Sequence, residues 1–251
     1  MNDLVGRTAL VTGSTRGIGR AVALELAAAG AMVAVHGRSA AGSEEVAGVL
    51  RAAGRHAGTF LADLSESGAA EKLAANVERS LPALDAVVLV AGADVLTGEP
   101  ARWGFERKLD ELLQVDLRAT MILARYLGRG MRDHGGGAVV TIGWDQAHSG
   151  MEGDSGELFA AVKGAVMAFT KSLAKSLAPQ VRVNCVAPGW IRTAWGEGAS
   201  EAWQRRAVRE SMLGRWGEPE DIAAAVHWLL SPDAAFVTAQ VLPVNGGFRP
   251  A

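Results

Sequence analysis

Tyrosine and cysteine are nearly missing from this chain of 251 residues, which holds one of each, Tyr126 and Cys185. A single thiol excludes an intramolecular disulfide and a cysteine-based metal cluster. Its setting, Val183-Asn184-Cys185-Val186-Ala187, reads as a buried strand position. No apolar run reaches the ~18–20 residues that a spanning helix needs. Met1 to Arg7 lack the basic-then-apolar order of a secretory signal, so the expected location is cytoplasmic. Positive charge is nowhere concentrated: the formal net charge is −2, with no basic block or basic–aromatic stripe. Neither nucleic acid nor an anionic membrane is therefore an expected partner. No His/Asp/Glu group has ligand spacing, so no metal is expected.

What is present is an ordinary globular composition, 49% hydrophobic and 21% charged, long enough to bury a core without staples. Short β-branched runs alternate with Ala/Leu-rich helical stretches. Strands are predicted at Thr8–Thr12, Met32–His36, Gly58–Leu61, Ala86–Val90, Ala138–Ile142, Val181–Val186 and Gln240–Val244, and helices at Arg16–Ala29 and Glu44–Ala53, closed by Gly30 and Gly54. The pattern specifies an α/β fold of Rossmann type, a doubly wound parallel sheet of about seven strands with helices on both faces. A single domain over 1–251 is expected. The irregular stretch at about 189–213, with Trp190, Trp195 and Trp203, is expected to cover the ligand crevice.

Thr12-Gly13-Ser14-Thr15-Arg16-Gly17-Ile18-Gly19 leaves the first strand and opens the first helix. Gly13 allows the turn, Gly17 lets backbone approach a pyrophosphate, and Gly19 lets helix pack on strand. The helix N-terminus supplies free N–H groups to the anion. After the second strand, His36-Gly37-Arg38-Ser39 offers no carboxylate for a ribose 2′-hydroxyl. Arg38 and Arg16 instead suit a 2′-phosphate, which favours NADP(H) over NAD(H).

This glycine spacing resembles the short-chain dehydrogenase/reductase family, in its classical subfamily and its 3-oxoacyl-carrier-protein-reductase-like members, along essentially the whole chain. Asp63-Leu64 resembles the family's adenine-contacting pair, Ala91-Gly92 the second half of its Asn-Asn-Ala-Gly, and Pro188-Gly189-Trp190-Ile191-Arg192-Thr193 its nicotinamide segment. The last resemblance implies contacts from Ile191 and Thr193 to the carboxamide. Val244-Asn245-Gly246-Gly247 matches the end of the family's last strand. The resemblance also implies a homotetramer or homodimer.

In that family a tyrosine moves the proton, a lysine lowers its pKa and bonds the nicotinamide ribose, a serine polarises the carbonyl, and a helix asparagine holds a water. Here only Lys163 matches. Phe159 stands in the tyrosine's place, Trp144 near the serine's, Asp116 in the asparagine's, and Leu89-Val90 replace the Asn-Asn pair. The fifteen positions from Trp144 to Phe159 are about two more than usual, so register there is open. Candidate groups for chemistry are Lys163, Asp116 and Asp145; an aspartate near Asp145 resembles the family's pteridine reductases. Asp116 shares a predicted helix face with Leu109, Leu113, Leu123 and Leu127, so its carboxyl is expected to be buried, as a proton donor or as the partner of Lys163. His148 is a further loop candidate, while Asp154 and Ser155 read as N-caps of the helix carrying Lys163.

Trp144, Phe159, Trp190 and Trp195 are expected to line an apolar wall suited to a flat or hydrophobic small molecule. Three readings stay open. One is an NADP(H)-dependent oxidoreductase whose proton comes from a group other than tyrosine, acting on C=O, C=N or a conjugated system. Another is a non-redox cyclase, isomerase or dehydratase. The last is an inactive nucleotide-binding sensor or partner subunit.

Overall fold

The computed structural model describes residues 3–249. β1 (Thr8–Thr12), β2 (Met32–Gly37), β3 (His56–Leu61), β4 (Ala86–Leu89), β5 (Gly137–Ile142), β6 (Val181–Pro188) and β7 (Val241–Val244) form one sheet in the order β3-β2-β1-β4-β5-β6-β7. Every pairing is parallel. Continuous apolar runs explain this, because a parallel strand is covered on both faces. Successive residues point to opposite sides. Val11, Val88 and Val140 pack with α1 (Gly17–Ala28), α2 (Ala40–Ala52) and α9 (Pro219–Leu230) through Val22, Val46 and Val226. Leu10, Val87 and Val139 pack with α3 (Ala69–Ser80), α5 (Thr120–Asp133) and α6 (Asp154–Leu177) through Leu73, Leu123 and Leu173.

Local boundaries depart from the sequence expectation for identifiable reasons. The second helix starts at Ala40 rather than Glu44, because the Ser39 hydroxyl accepts the Gly42 N–H and caps it. α6 begins on Asp154 with Gly153 as its cap, so Asp154 and Ser155 lie inside the first turn and cap nothing. The 189–213 stretch holds two helices, α7 (Ala194–Gly198) and α8 (Glu201–Glu210).

The largest departure lies between α4 (Phe105–Leu112) and α5, where Leu113–Ala119 is π-helical. The wider turn rotates the helix face that 3.6-residue periodicity predicts. Leu113 comes out to 39% exposure, whereas Asp116 stays buried, as its helix face predicted, at 1%. Such π turns concentrate at functional sites.

Candidate functional site

The first crossover and the chain's return to β4 run in opposite directions from β1, so a crevice forms beyond the ends of these two strands. The Thr12 hydroxyl fixes its floor by accepting the N–H groups of Val90 and Ala91, at 3.0 and 3.1 Å. Gly13 then turns at φ +63°, and a Cβ there would stand 2.8 Å from the Ala91 Cα. Gly19 faces the Gly13 carbonyl so closely that no side chain fits between helix and strand. A cavity of about 400 Å³ opens at this point.

Gly13, Thr15, Arg16, Gly17, Ile18 and Gly19 line one side of that cavity. No side chain caps α1, and no acid occupies its first turn, so its leading amides stay available to an anion. Arg38, Asp63 and Leu64 line the outer end, and Ala91, Gly92 and Thr193 line the middle. Arg16 also approaches Asp94 across the mouth at 3.7 Å. These features fit a dinucleotide: a glycine cradle, free amides and two guanidinium groups, Arg16 in the glycine loop and Arg38 just past the second strand.

Five of the residues expected to bind the cofactor do not line this cavity. Ser14 is fully buried, its hydroxyl bonding the N–H and carbonyl of His36 to tie the loop to β2. Ser39 is spent on capping α2. Pro188 ends β6, Gly189 lies against Asn245, and Ile191 is buried beside Gly217, so none of the three lines the cavity. Ser14 and Ser39 adjoin lining residues, and adjacency in an extended segment sends alternate side chains away.

His36, Asp94, Glu111 and Val115 line the cavity without having been singled out. His36 was detectable as a polar residue ending an apolar strand. Its Nδ1 accepts the Gly13 N–H at 3.1 Å, which places the ring proton on Nε2. Nε2 is buried without a partner, and burial pushes the imidazole pKa down to about 4. The ring is neutral at pH 7.

At the inner end, α6 presents Phe159 and Lys163 to the cavity one turn apart. The Lys163 Nζ lies 2.9 Å from Asp116 Oδ1, and Asp116 Oδ2 accepts the Ala93 N–H at 2.8 Å. Both carboxylate oxygens are thereby occupied. Gly92 is what allows this, because a Cβ there would meet Oδ1 at 2.9 Å. Removing either charge would leave the other buried and uncompensated, at a cost of about 3–5 kcal/mol. Of the two roles expected for Asp116, the geometry supports partner of the lysine, not proton donor.

The aromatic wall is narrower than expected. Phe159 and Trp195 line the cavity, whereas Trp144 stands behind Phe159, ring edge to face at 6.4 Å. Trp190 stacks behind Trp195 at 5.8 Å, and Trp203 and Trp216 complete the cluster. Arg206 bonds Glu210 and Glu152 and lies over the Trp203 ring, joining α8 to the loop before α6.

Asp145 does not line the cavity. It turns toward the C-terminal segment, where Asn245 Nδ2 donates to its Oδ2 at 3.0 Å and Oδ1 is buried without a partner. Burial raises its pKa to about 6, against the lowering effect of that bond. His148 is exposed in the loop. Among the described residues no cluster of metal-ligating side chains occurs, and no helix is long and apolar enough to cross a membrane.

Sheet order, glycine turn and crevice define a Rossmann-type α/β protein. The family profile described as enoyl-(acyl carrier protein) reductase matches residues 13–249. A 3-oxoacyl-[acyl-carrier-protein] reductase of Pseudomonas aeruginosa is 35% identical over 98% of both chains. Among solved structures, a 3-oxoacyl (acyl-carrier-protein) reductase of Agrobacterium tumefaciens with NADP bound superposes at a TM-score of 0.88, with 31% identity over 98% of this chain and 97% of that one. A 7α-hydroxysteroid dehydrogenase complexed with NADH and 7-oxo glycochenodeoxycholic acid superposes at 0.87, with 27% identity over 98% and 96%. The chain belongs to the short-chain dehydrogenase/reductase family of oxidoreductases.

Proposed function

We propose that this chain is an NADP(H)-dependent oxidoreductase that moves hydride to or from a small C=O, C=N or conjugated substrate without a tyrosyl acid. The observation that carries this reading is the continuity of one cavity, from the glycine loop and Arg38 to the Lys163–Asp116 pair and Phe159. The glycine loop and α1 amides would hold the pyrophosphate, Arg16 and Arg38 the 2′-phosphate, and Lys163 the nicotinamide ribose. A bound nicotinamide supplies or accepts the hydride. The chain's own residues then bind, orient and exclude water.

Phe159 stands one turn before the lysine, where the family's tyrosine belongs, and a phenyl ring carries no transferable proton. A substrate that needs a proton must take it from Lys163, the Thr193 hydroxyl or water. Lys163 also favours a redox enzyme over a silent nucleotide binder, since a buried ammonium kept at the ribose position serves the reacting pose. The same reading includes an assembly of two or four copies in the cytoplasm. Fully exposed Phe236 and exposed Met212 and Leu213 support an interface on the C-terminal side.

Trp195 lines the cavity, so intrinsic fluorescence reports its occupation. Titration with NADPH and NADH is expected to show saturable quenching by both, with NADPH about tenfold or more tighter. Absence of binding by either below millimolar concentration removes this reading.

A further inference from the structure

We infer that the substrate at this site is already a cation, an iminium or an N-alkylated heteroaromatic ring, and not a neutral carbonyl. The inference rests on the oxidoreductase reading above and names its substrate class.

Carbonyl reduction builds negative charge on oxygen, which needs a proton or a donor set aimed at it. Here the cavity that holds Lys163 presents the Phe159 ring, backed by Trp144, and the Trp195 ring, backed by Trp190. The one ammonium nearby is held by Asp116, whose second oxygen is fixed by the Ala93 N–H. An oxyanion would find two apolar rings, a neutralised ion pair and, at most, the single Thr193 hydroxyl.

An iminium needs none of what is missing. Hydride, drawn from a reduced nicotinamide that becomes the pyridinium, adds to the iminium carbon, and the C=N π pair becomes the nitrogen lone pair. The product is a neutral amine, and no proton is consumed. Charge falls on the substrate as the reaction proceeds, so no acid or oxyanion donor is required.

The surroundings favour a cation in the ground state as well. Aromatic rings attract cations, most strongly when desolvated. Around the whole cavity Asp63, Asp94, Glu111 and Asp116 face Arg16, Arg38 and Lys163, and His36 is neutral at pH 7. Among the described residues Glu111 has no ion-pair or hydrogen-bond partner. A bound dinucleotide adds further negative charge, so the remaining space sits in a negative potential that concentrates cations and repels anions.

The test compares isosteres on the intact protein. With NADP⁺ present, so that no turnover occurs, calorimetric titration at pH 8 is expected to show N-methylisoquinolinium binding about tenfold or more tighter than neutral isoquinoline. Phe159→Leu should reduce that preference. With NADPH, N-methyl-3,4-dihydroisoquinolinium is expected to be reduced at least about 100-fold faster than 1-tetralone, with a solvent isotope effect near unity. Equal binding of the isoquinoline pair, or tetralone turned over as fast as the iminium, overturns the inference while leaving the oxidoreductase standing. Failure of both NADPH and NADH to bind overturns the parent reading instead.

Discussion

Asp116 and Lys163 meet at 2.9 Å in the floor of the cavity, with the carboxylate 1% exposed and the ammonium side chain 12% exposed. They lie on different helical segments, Asp116 within the π turn at Leu113–Ala119 and Lys163 on α6. The pair therefore links an irregularity in one helix to the placement of a cation on another. Its desolvation is offset by geometry: one oxygen takes the ammonium, the other a backbone N–H.

Breaking the pair from one side should be costly. Lys163→Met leaves a buried carboxylate with a single backbone donor, and a loss of about 3–5 kcal/mol is expected in urea denaturation. The double variant with Asp116→Leu should recover most of that loss. A double variant no more stable than the single would show that the two side chains do not compensate each other.

Phe159→Tyr would put a phenol one turn from Lys163. With Trp144→Ser added, reduction of a neutral ketone should rise by about 10²–10⁴ over the parent chain, the usual contribution of a positioned acid. Initial rates of NADPH oxidation measure this. No rise in the double variant would mean that Asp116 holds the lysine away from the phenol.

Arg38 is exposed at the cavity mouth and no ion pair holds it among the described residues. Arg38→Ala should weaken NADPH binding by about 10–100-fold through loss of a charge-assisted contact to the 2′-phosphate. NADH affinity should change little, as fluorescence titration would record. Equal losses for both dinucleotides would place Arg38 away from that phosphate.

Two buried groups pull the pH dependence of stability in opposite directions. His36, with a pKa of about 4 in the folded chain, favours folding above its unfolded value of 6.5; that contribution falls as pH drops and is lost below about 4. Asp145, at about 6 when folded against 3.8 unfolded, penalises the folded state progressively as pH rises from 3.8 to 6. Asp145→Asn removes the second effect and can keep the Asn245 bond through its amide oxygen. The variant should be more stable than the parent at pH 8, by on the order of 1–3 kcal/mol, and no more stable at pH 3.5. Melting curves at the two pH values decide it. An Asp145→Asn protein destabilised equally at both would make the carboxyl's bonds, not its burial, the dominant effect.

Much of the fold was legible because it rests on local patterns. Val87-Val88 and Val139-Val140 are apolar on both sides, which only a doubly covered strand tolerates. Gly13 and Gly19 announce a turn and a close contact that other residues would obstruct. The site was legible only in part. Asp145 lies three residues past β5 and was a candidate for the chemistry, yet its side chain meets Asn245 and does not line the cavity. His36 looked like an ordinary strand end, and its role as acceptor for the Gly13 N–H depends on two segments meeting.

The order of residues by itself determined the sheet, the glycine cradle and the presence of Phe159 one turn before Lys163, since each is a matter of spacing along the chain. Tertiary structure decided between the two roles open to Asp116 by pairing it with that lysine, and it alone decided that Trp195 reaches the cavity while Trp144 stays behind it, and that Asp145 turns away. These depend on packing between distant segments, which spacing along the chain does not record.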